Sequence, residues 1–280
     1  MVLRWRKRLT MVVIGTVLSA GLMLPVTAPA ETVIRIGGTG SALGSMKRLA
    51  VAYEKSHPGV RLQILPSLGS TAGIKAVLGG GIDLALASRP LTDSERRQGA
   101  TAVEYARSPF VFVTNPRVKK KDVTVRELEE FYGNPAASWS DGSRIRLILR
   151  PEKDIDSILV RGISPKLDRA VLAALARPGM IMAITDQESM DAVIRTPGAL
   201  GGGTLTEIIS ENRPVNMLSL NGVKPDVKTI ADNSYPLVKS FYLVTTPKSP
   251  AEIRRFTGFV RSPDARRILS ATGNLVVEAK

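Results

Sequence analysis

Two stretches of this chain combine glycine with hydroxyl side chains where a strand gives way to a helix: Gly37-Gly-Thr-Gly-Ser41 and Leu68-Gly-Ser-Thr-Ala-Gly73. A helix N-terminus carries unpaired backbone N–H groups and roughly half a positive charge, so it can hold an anion without a charged side chain. Ser41, Ser70 and Thr71 add hydroxyl donors, and Gly40 lets the backbone approach a ligand closely. Taken singly, such turns are mostly plain helix caps. Two of them after consecutive strands point to a shared site, because parallel α/β sheets bind ligands at the carboxyl ends of their strands. Neither has the spacing of a nucleotide-binding loop. A third strand end, Asp83-Leu-Ala-Leu-Ala-Ser-Arg-Pro-Leu91, sets Ser88 and Arg89 where a ligand would sit, and Arg150 repeats that position after residues 145–149. Guanidinium groups suit bidentate oxyanion contacts.

Other chemistries find little support. The one histidine, His57 in Ser-His-Pro-Gly, reads as an exposed helix-end residue, and no Ser-His-Asp arrangement surrounds it. Aspartates and glutamates do not cluster as metal ligands would, so neither metal nor cofactor is expected. The run Lys119-Lys120-Lys121 has no interleaved aromatics and reads as a solvated loop rather than a nucleic-acid patch. Cysteine is absent, which excludes disulfides, thiolate chemistry and a lipidated mature N-terminus.

The elements that position these residues follow from composition and pattern. The 280 residues are 44% hydrophobic and 23% charged, as in an ordinary packed protein. Arg4, Arg6, Lys7 and Arg8 precede an apolar run over 11–24 and the small residues Ala28 and Ala30, the layout of a cleavable export signal cut after Ala30. Lys and Arg number 39 against 25 Asp and Glu, a formal charge of +14; the signal carries four of the cations and no acid, so 35 against 25 leaves +10 on the mature chain. Beyond it, β-branched runs alternate with helical patterns, predicting an α/β fold with a largely parallel sheet. Strands are expected at 33–36, 61–65, 84–87, 109–113, 145–149, 180–184, 216–220 and 241–244. Helices are expected around Met46, Leu49, Ala50 and Tyr53, from Gly69 to Leu78, after the Thr92/Glu95 capping box, near 124–132, 155–160 and 167–176, and in two pieces after Pro250. About 250 mature residues suit two lobes, with the strands at 109–113 and 241–244 crossing between them. The expected division is a signal at 1–30, lobe one at 31–109 and 245–280, and lobe two at 110–244.

An ordered series of motifs then narrows the reading: Gly-Thr-Gly-Ser at 38–41, Gly-Ser-Thr-Ala-Gly-Ile at 69–74, Ile-Asp-Leu-Ala-Leu-Ala-Ser-Arg-Pro-Leu at 82–91 with Glu95, and Thr-Pro-Gly-Ala-Leu-Gly at 196–201. Tyr-Pro-Leu at 235–237, Phe-Tyr-Leu-Val at 241–244, and Phe-Val-Arg-Ser-Pro at 259–263 with Gly273 complete it. Across residues 33–277 the chain resembles the phosphate-binding proteins of ABC transporters, in the type II periplasmic binding protein superfamily. The resemblance implies a two-lobed periplasmic monomer that binds phosphate or a similar tetrahedral oxyanion between its lobes, without catalysis, and delivers it to an inner-membrane permease. Carried over by position, the ligand donors would be Gly40, Ser41, Ser70 with Thr71, Ser88 with Arg89, Arg150 and Ser157.

Two departures from that family stand out. Many members carry Asp where Ser88 stands. After Arg150, where the family usually has Ser-Gly-Thr opening a helix, the aligned stretch is Pro151-Glu-Lys-Asp-Ile-Asp-Ser157, which puts Asp154 and Asp156 at the helix start. These acids suit a helix start, yet beside a phosphate each like-charge contact at about 4 Å costs on the order of 4 kcal/mol at an effective dielectric near 20. The alternative reading is therefore a family member that has lost phosphate binding and serves as a periplasmic sensor or partner protein.

Overall fold

The computed structural model describes residues 31–277, so the expected export signal with Ala28 and Ala30 lies outside the described residues. In chain order the first elements are β1 (Thr32–Gly38), a 3₁₀ turn (Gly40–Ala42), α1 (Leu43–Ser56), β2 (Val60–Ile64), α2 (Gly69–Leu78), β3 (Leu84–Ala87), α3 (Asp93–Arg97) and β4 (Thr101–Thr114). There follow β5 (Asp122–Val123), α4 (Val125–Gly133), β6 (Arg146–Leu149), α5 (Ile155–Arg161), α6 (Pro165–Leu175), β7 (Ile181–Met182), α7 (Asp186–Arg195), β8 (Ala199–Thr204) and α8 (Leu205–Ser210). The chain closes with β9 (Asn216–Met217), β10 (Ser219–Leu220), α9 (Val227–Ala231), β11 (Val238–Thr245), α10 (Ala251–Val260), α11 (Pro263–Ala271) and β12 (Leu275–Val276).

The main sheet runs β2-β1-β3-β11-β4-β8-β6-β7. β1 is parallel to both β2 and β3, and β6 is parallel to β8 and β7, while β11 runs antiparallel to β3 and β4. β4 changes partner along its length: residues 101–109 pair with β11, and Phe110 to Thr114 pair with β8. Its side chains divide accordingly. Tyr105 and Ala106 join a core of Ile36, Met46, Leu49, Tyr53, Leu86 and Phe256, whereas Phe110 and Phe112 join one built on Leu128, Tyr132, Leu149 and Leu167. The result is a two-lobed mixed α/β architecture with β4 and β11 passing between the cores.

Most expected elements occur where their periodicity places them. Met46, Leu49, Ala50 and Tyr53 form the buried stripe of α1, and Thr92 with Glu95 closes a reciprocal capping box. Several extents differ. The strand expected at 109–113 begins at Thr101, because Pro109 lies at the last pairing with β11, where its missing N–H interrupts no ladder interior. The strand expected over 180–184 contracts to Ile181–Met182, and the one over 216–220 splits at Leu218 as its two halves pair with β4 and β5. α7, β8 and α8 carried no expectation. β8 reads poorly as a strand because of Gly201-Gly-Gly203, yet a Cβ at any of the three would meet Val193, Phe110 or Met190 within 2.6 Å, so the packing demands the glycines.

Candidate ligand-binding cleft

The first face of the cleft is built at the carboxyl ends of β1 and β3. β1 stops at Gly38, whose φ of +139° and whose Leu86 carbonyl, 2.0 Å from where a Cβ would lie, admit only glycine. The chain then turns through the 3₁₀ segment, which buries Thr39, Gly40 and Ser41. α2 starts beside it. The Ser70 hydroxyl accepts the backbone N–H of Ser88 at 2.9 Å and lies 3.0 Å from the Ser88 hydroxyl. Arg89 donates twice to Glu95, at 2.7 and 2.9 Å, and once to the Thr71 hydroxyl at 3.2 Å. Its guanidinium is thus held by the carboxylate that caps α3, which lowers Glu95 to about 2 chiefly through these hydrogen bonds.

The opposite face is charged. Arg150, at the end of β6, is 93% buried and donates to the Ala183 carbonyl at 3.1 Å and to Asp154 at 2.9 Å. Asp154 also caps α5 by accepting the N–H of Asp156, and Ser157 donates to the Arg150 carbonyl at 3.0 Å. Asp186 opens α7 directly after its cap residue, Thr185, whose side chain forms a capping box with Glu188. Lys239 of β11 joins the two faces. Its ammonium, 1% exposed, donates to Asp156 at 2.6 Å, Ser41 at 2.9 Å and Asp186 at 3.0 Å. Ser41 and Thr39 in turn donate to Asp186 at 2.7 and 3.3 Å. The Gly40 carbonyl accepts from Gln187 at 3.0 Å, so the first turn touches the start of α7.

Burial and pairing divide the acids. Burial alone would raise Asp186, but Lys239, Arg150 and the Ser41 hydroxyl hold it well below the usual carboxylate range. Asp156 goes the other way. Its desolvation, with Asp154 and Asp186 nearby, outweighs Lys239 and pushes it up to about 6. Glu207 of α8, fully buried with both carboxyl oxygens unpartnered, is pushed well above the usual range by the same desolvation. Burial works against the charge of Lys239, yet Asp156 and Asp186 keep it firmly protonated.

The sequence-derived candidates therefore fall into three places. Gly40, Ser41 and Arg150 line the charged centre, Ser70 and Ser88 bind each other at the α2 and β3 ends, and Thr71 and Arg89 sit beside Glu95. Ser157 is turned to the Arg150 backbone. Lys239 and Asp186 were missed. A signal for Lys239 exists in the alternation of β11, where position 239 is in phase with the buried Phe241 and Leu243. Asp186 has none, because an acid after Thr185 reads as ordinary first-turn charge.

Comparison with known proteins agrees with this architecture. The family described as PBP superfamily domain matches residues 25–264. The phosphate-binding protein PstS of Borreliella burgdorferi is 23% identical over 257 residues, covering 89% of this chain and 91% of that protein. Among solved structures, a putative phosphate ABC transporter substrate-binding protein with bound phosphate from Clostridium perfringens superposes with a TM-score of 0.74 at 20% identity, over 88% of this chain and all of that one. The periplasmic molybdate-binding protein of Azotobacter vinelandii superposes at 0.61 with 16% identity, again over 88% of this chain and all of its own.

Proposed function

The chain belongs to the PBP superfamily, and on that premise we propose that it is the exported solute-binding protein of a phosphate-type ABC transporter, taking phosphate or a similar tetrahedral oxyanion between its lobes. The observation that carries the reading is the convergence of the Ser41 and Thr39 hydroxyls with two buried cations, Arg150 and Lys239, around Asp186. The relatives named above as phosphate-binding and molybdate-binding supply the class of ligand. Lobe one comprises 31–109 with 245–280 and lobe two 110–244. The protein acts in the periplasm as a monomer, binding without catalysis, and its closed form is what the permease recognises. Among the described residues no helix is long and apolar enough to cross a membrane. Calorimetric titration of the mature protein with inorganic phosphate tests this: saturable heat is expected, lost in Arg150→Ala and weakened in Ser70→Ala. Absence of heat at millimolar phosphate would sink it.

One observation favours a second reading. Asp156 and Asp186 already pair with Lys239, and Arg150 already pairs with Asp154. A family member with its cations so matched could serve as a ligand-free sensor or partner protein. In that case phosphate leaves the melting temperature unmoved, while the protein still associates with a membrane sensor or permease.

A further inference from the structure

We propose that Asp156 is a built-in competitor for the anion: its carboxylate occupies the place between Lys239 and Arg150, and an oxyanion enters there only as Asp156 takes up a proton. The inference rests on the phosphate-type reading above and adds to it a proton coupling and the residue responsible.

The geometry of one carboxylate carries the argument. Asp156 Oδ1 accepts from Lys239 at 2.6 Å. Its Oδ2 is buried without a hydrogen-bond partner and faces Arg150 Nε, likewise buried and unpartnered, across 3.7 Å. One carboxylate thus addresses both buried cations while satisfying neither its own second oxygen nor the guanidinium nitrogen. The cavity nearest Arg150 and Asp156 measures about 20 Å³, is walled otherwise by largely apolar residues such as Phe110, Tyr132 and Leu149, and does not reach Lys239. It admits roughly one water molecule, so an oxyanion that is to meet both cations must displace the carboxylate that now stands between them.

The groups facing Asp156 decide which one yields. Lys239 reaches it from β11, Arg150 from the end of β6, Asp154 from its own helix start and Asp186 from α7; Ser41 and Glu207 adjoin Lys239 and Asp186. Burial favours the uncharged form of Glu207, and around Asp156 itself two cations, Lys239 and Arg150, meet the carboxyls of Asp154, Asp156 and Asp186, so an arriving anion faces an excess of one negative charge when all three are ionised. Asp186 is tied down by Lys239, Ser41 and Thr39, and Asp154 is fixed by Arg150 and its cap. Asp156 is the one of the three with a buried, unpartnered carboxyl oxygen, and its burial lets the charge go near pH 6. One proton from solvent converts it to a carboxylic acid, brings the cluster to neutrality, frees Lys239 and Arg150 Nε for the ligand, and turns a repelling oxygen into an O–H donor.

Calorimetry with inorganic phosphate, in two buffers of different ionisation heat between about pH 5 and pH 8, tests the coupling on the wild type and on Asp156→Asn. The asparagine protein carries the ligand's own ionisation, so the difference between the two isolates Asp156. The wild type is expected to absorb about one proton more per phosphate at the upper end, and its affinity relative to Asp156→Asn to fall about tenfold per pH unit above pH 6. Sulfate, which does not titrate in this range, should show the same fall with the wild type alone. Identical proton counts and parallel pH profiles for the two proteins would overturn the coupling while leaving phosphate binding intact. No heat from either protein at any pH would instead remove the phosphate reading on which it rests. The wild-type proton count with sulfate needs no variant to fold.

Discussion

Lys239 is the residue on which the cleft's electrostatics turn. It is a fully buried ammonium shared by Asp156, Asp186 and Ser41, and removing one member of such a network leaves uncompensated charge rather than a small gap. Lys239→Met is expected to destabilise the protein by about 3–5 kcal/mol in urea unfolding. Adding Asp156→Asn should recover part of that loss, because the contacting sites do not act independently. A loss below ~1 kcal/mol in the single variant would show the network to be solvated. Asp156 itself has the opposite sign. Its folded-state pKa lies above the unfolded value near 4, so the folded protein binds the extra proton and stability falls as pH rises from about 4 to 6. Asp156→Asn should therefore match the wild type in melting temperature at about pH 4 and below, and exceed it near pH 8. Asp186, held below its unfolded value, contributes stability above pH 4 that acid removes.

At the level of elements, caps and turns aim the chemistry. The Thr185/Glu188 capping box sets the first turn of α7 and hence the position of Asp186 against Ser41. Thr185→Ala should cost about 1 kcal/mol and, if the cap positions Asp186, also change phosphate affinity; a stability loss with unaltered affinity would confine Thr185 to capping. α7 was not legible in the chain, but other elements were. The stripe of α1, the capping box at Thr92, the helix near 124–132 and the buried run of β3 are local signals set by neighbours within a few residues. β8 was illegible for the converse reason. Its glycines lower strand propensity and are required only by Phe110, Val193 and Met190, which approach from other elements.

For the molecule as a whole, the proposed two-lobe division makes the contact between the first turn and α7 a place where the lobes meet. A Cβ on Gly40 would lie 2.1 Å from the Gln187 side chain and 2.9 Å from Asp186. Gly40→Val should hold the lobes apart while leaving each core intact. The expected result is an unchanged circular dichroism spectrum, a larger radius of gyration in small-angle scattering and loss of phosphate binding. A variant as compact as the wild type, with the same affinity, would show that Gly40 does not limit closure. β4 and β11 are the strands that such a motion must bend, and β4 exchanges partners just after Pro109, the last residue it pairs with β11.

What the sequence determined by itself was the alternation of strands and helices, the hydroxyl and glycine turns at strand ends, and the position of Arg150. Each is written in residues adjacent in the chain. The tertiary structure decided the electrostatic character of the cleft. Lys239 meets Asp156 and Asp186 across 83 and 53 residues of sequence, and Ser41 reaches Asp186 across 145. Whether two aspartates repel a ligand, cap a helix or neutralise a lysine depends on which cation the fold brings within 3 Å. Local pattern carries no trace of that distance, because charge pairing acts through space while periodicity acts along the chain.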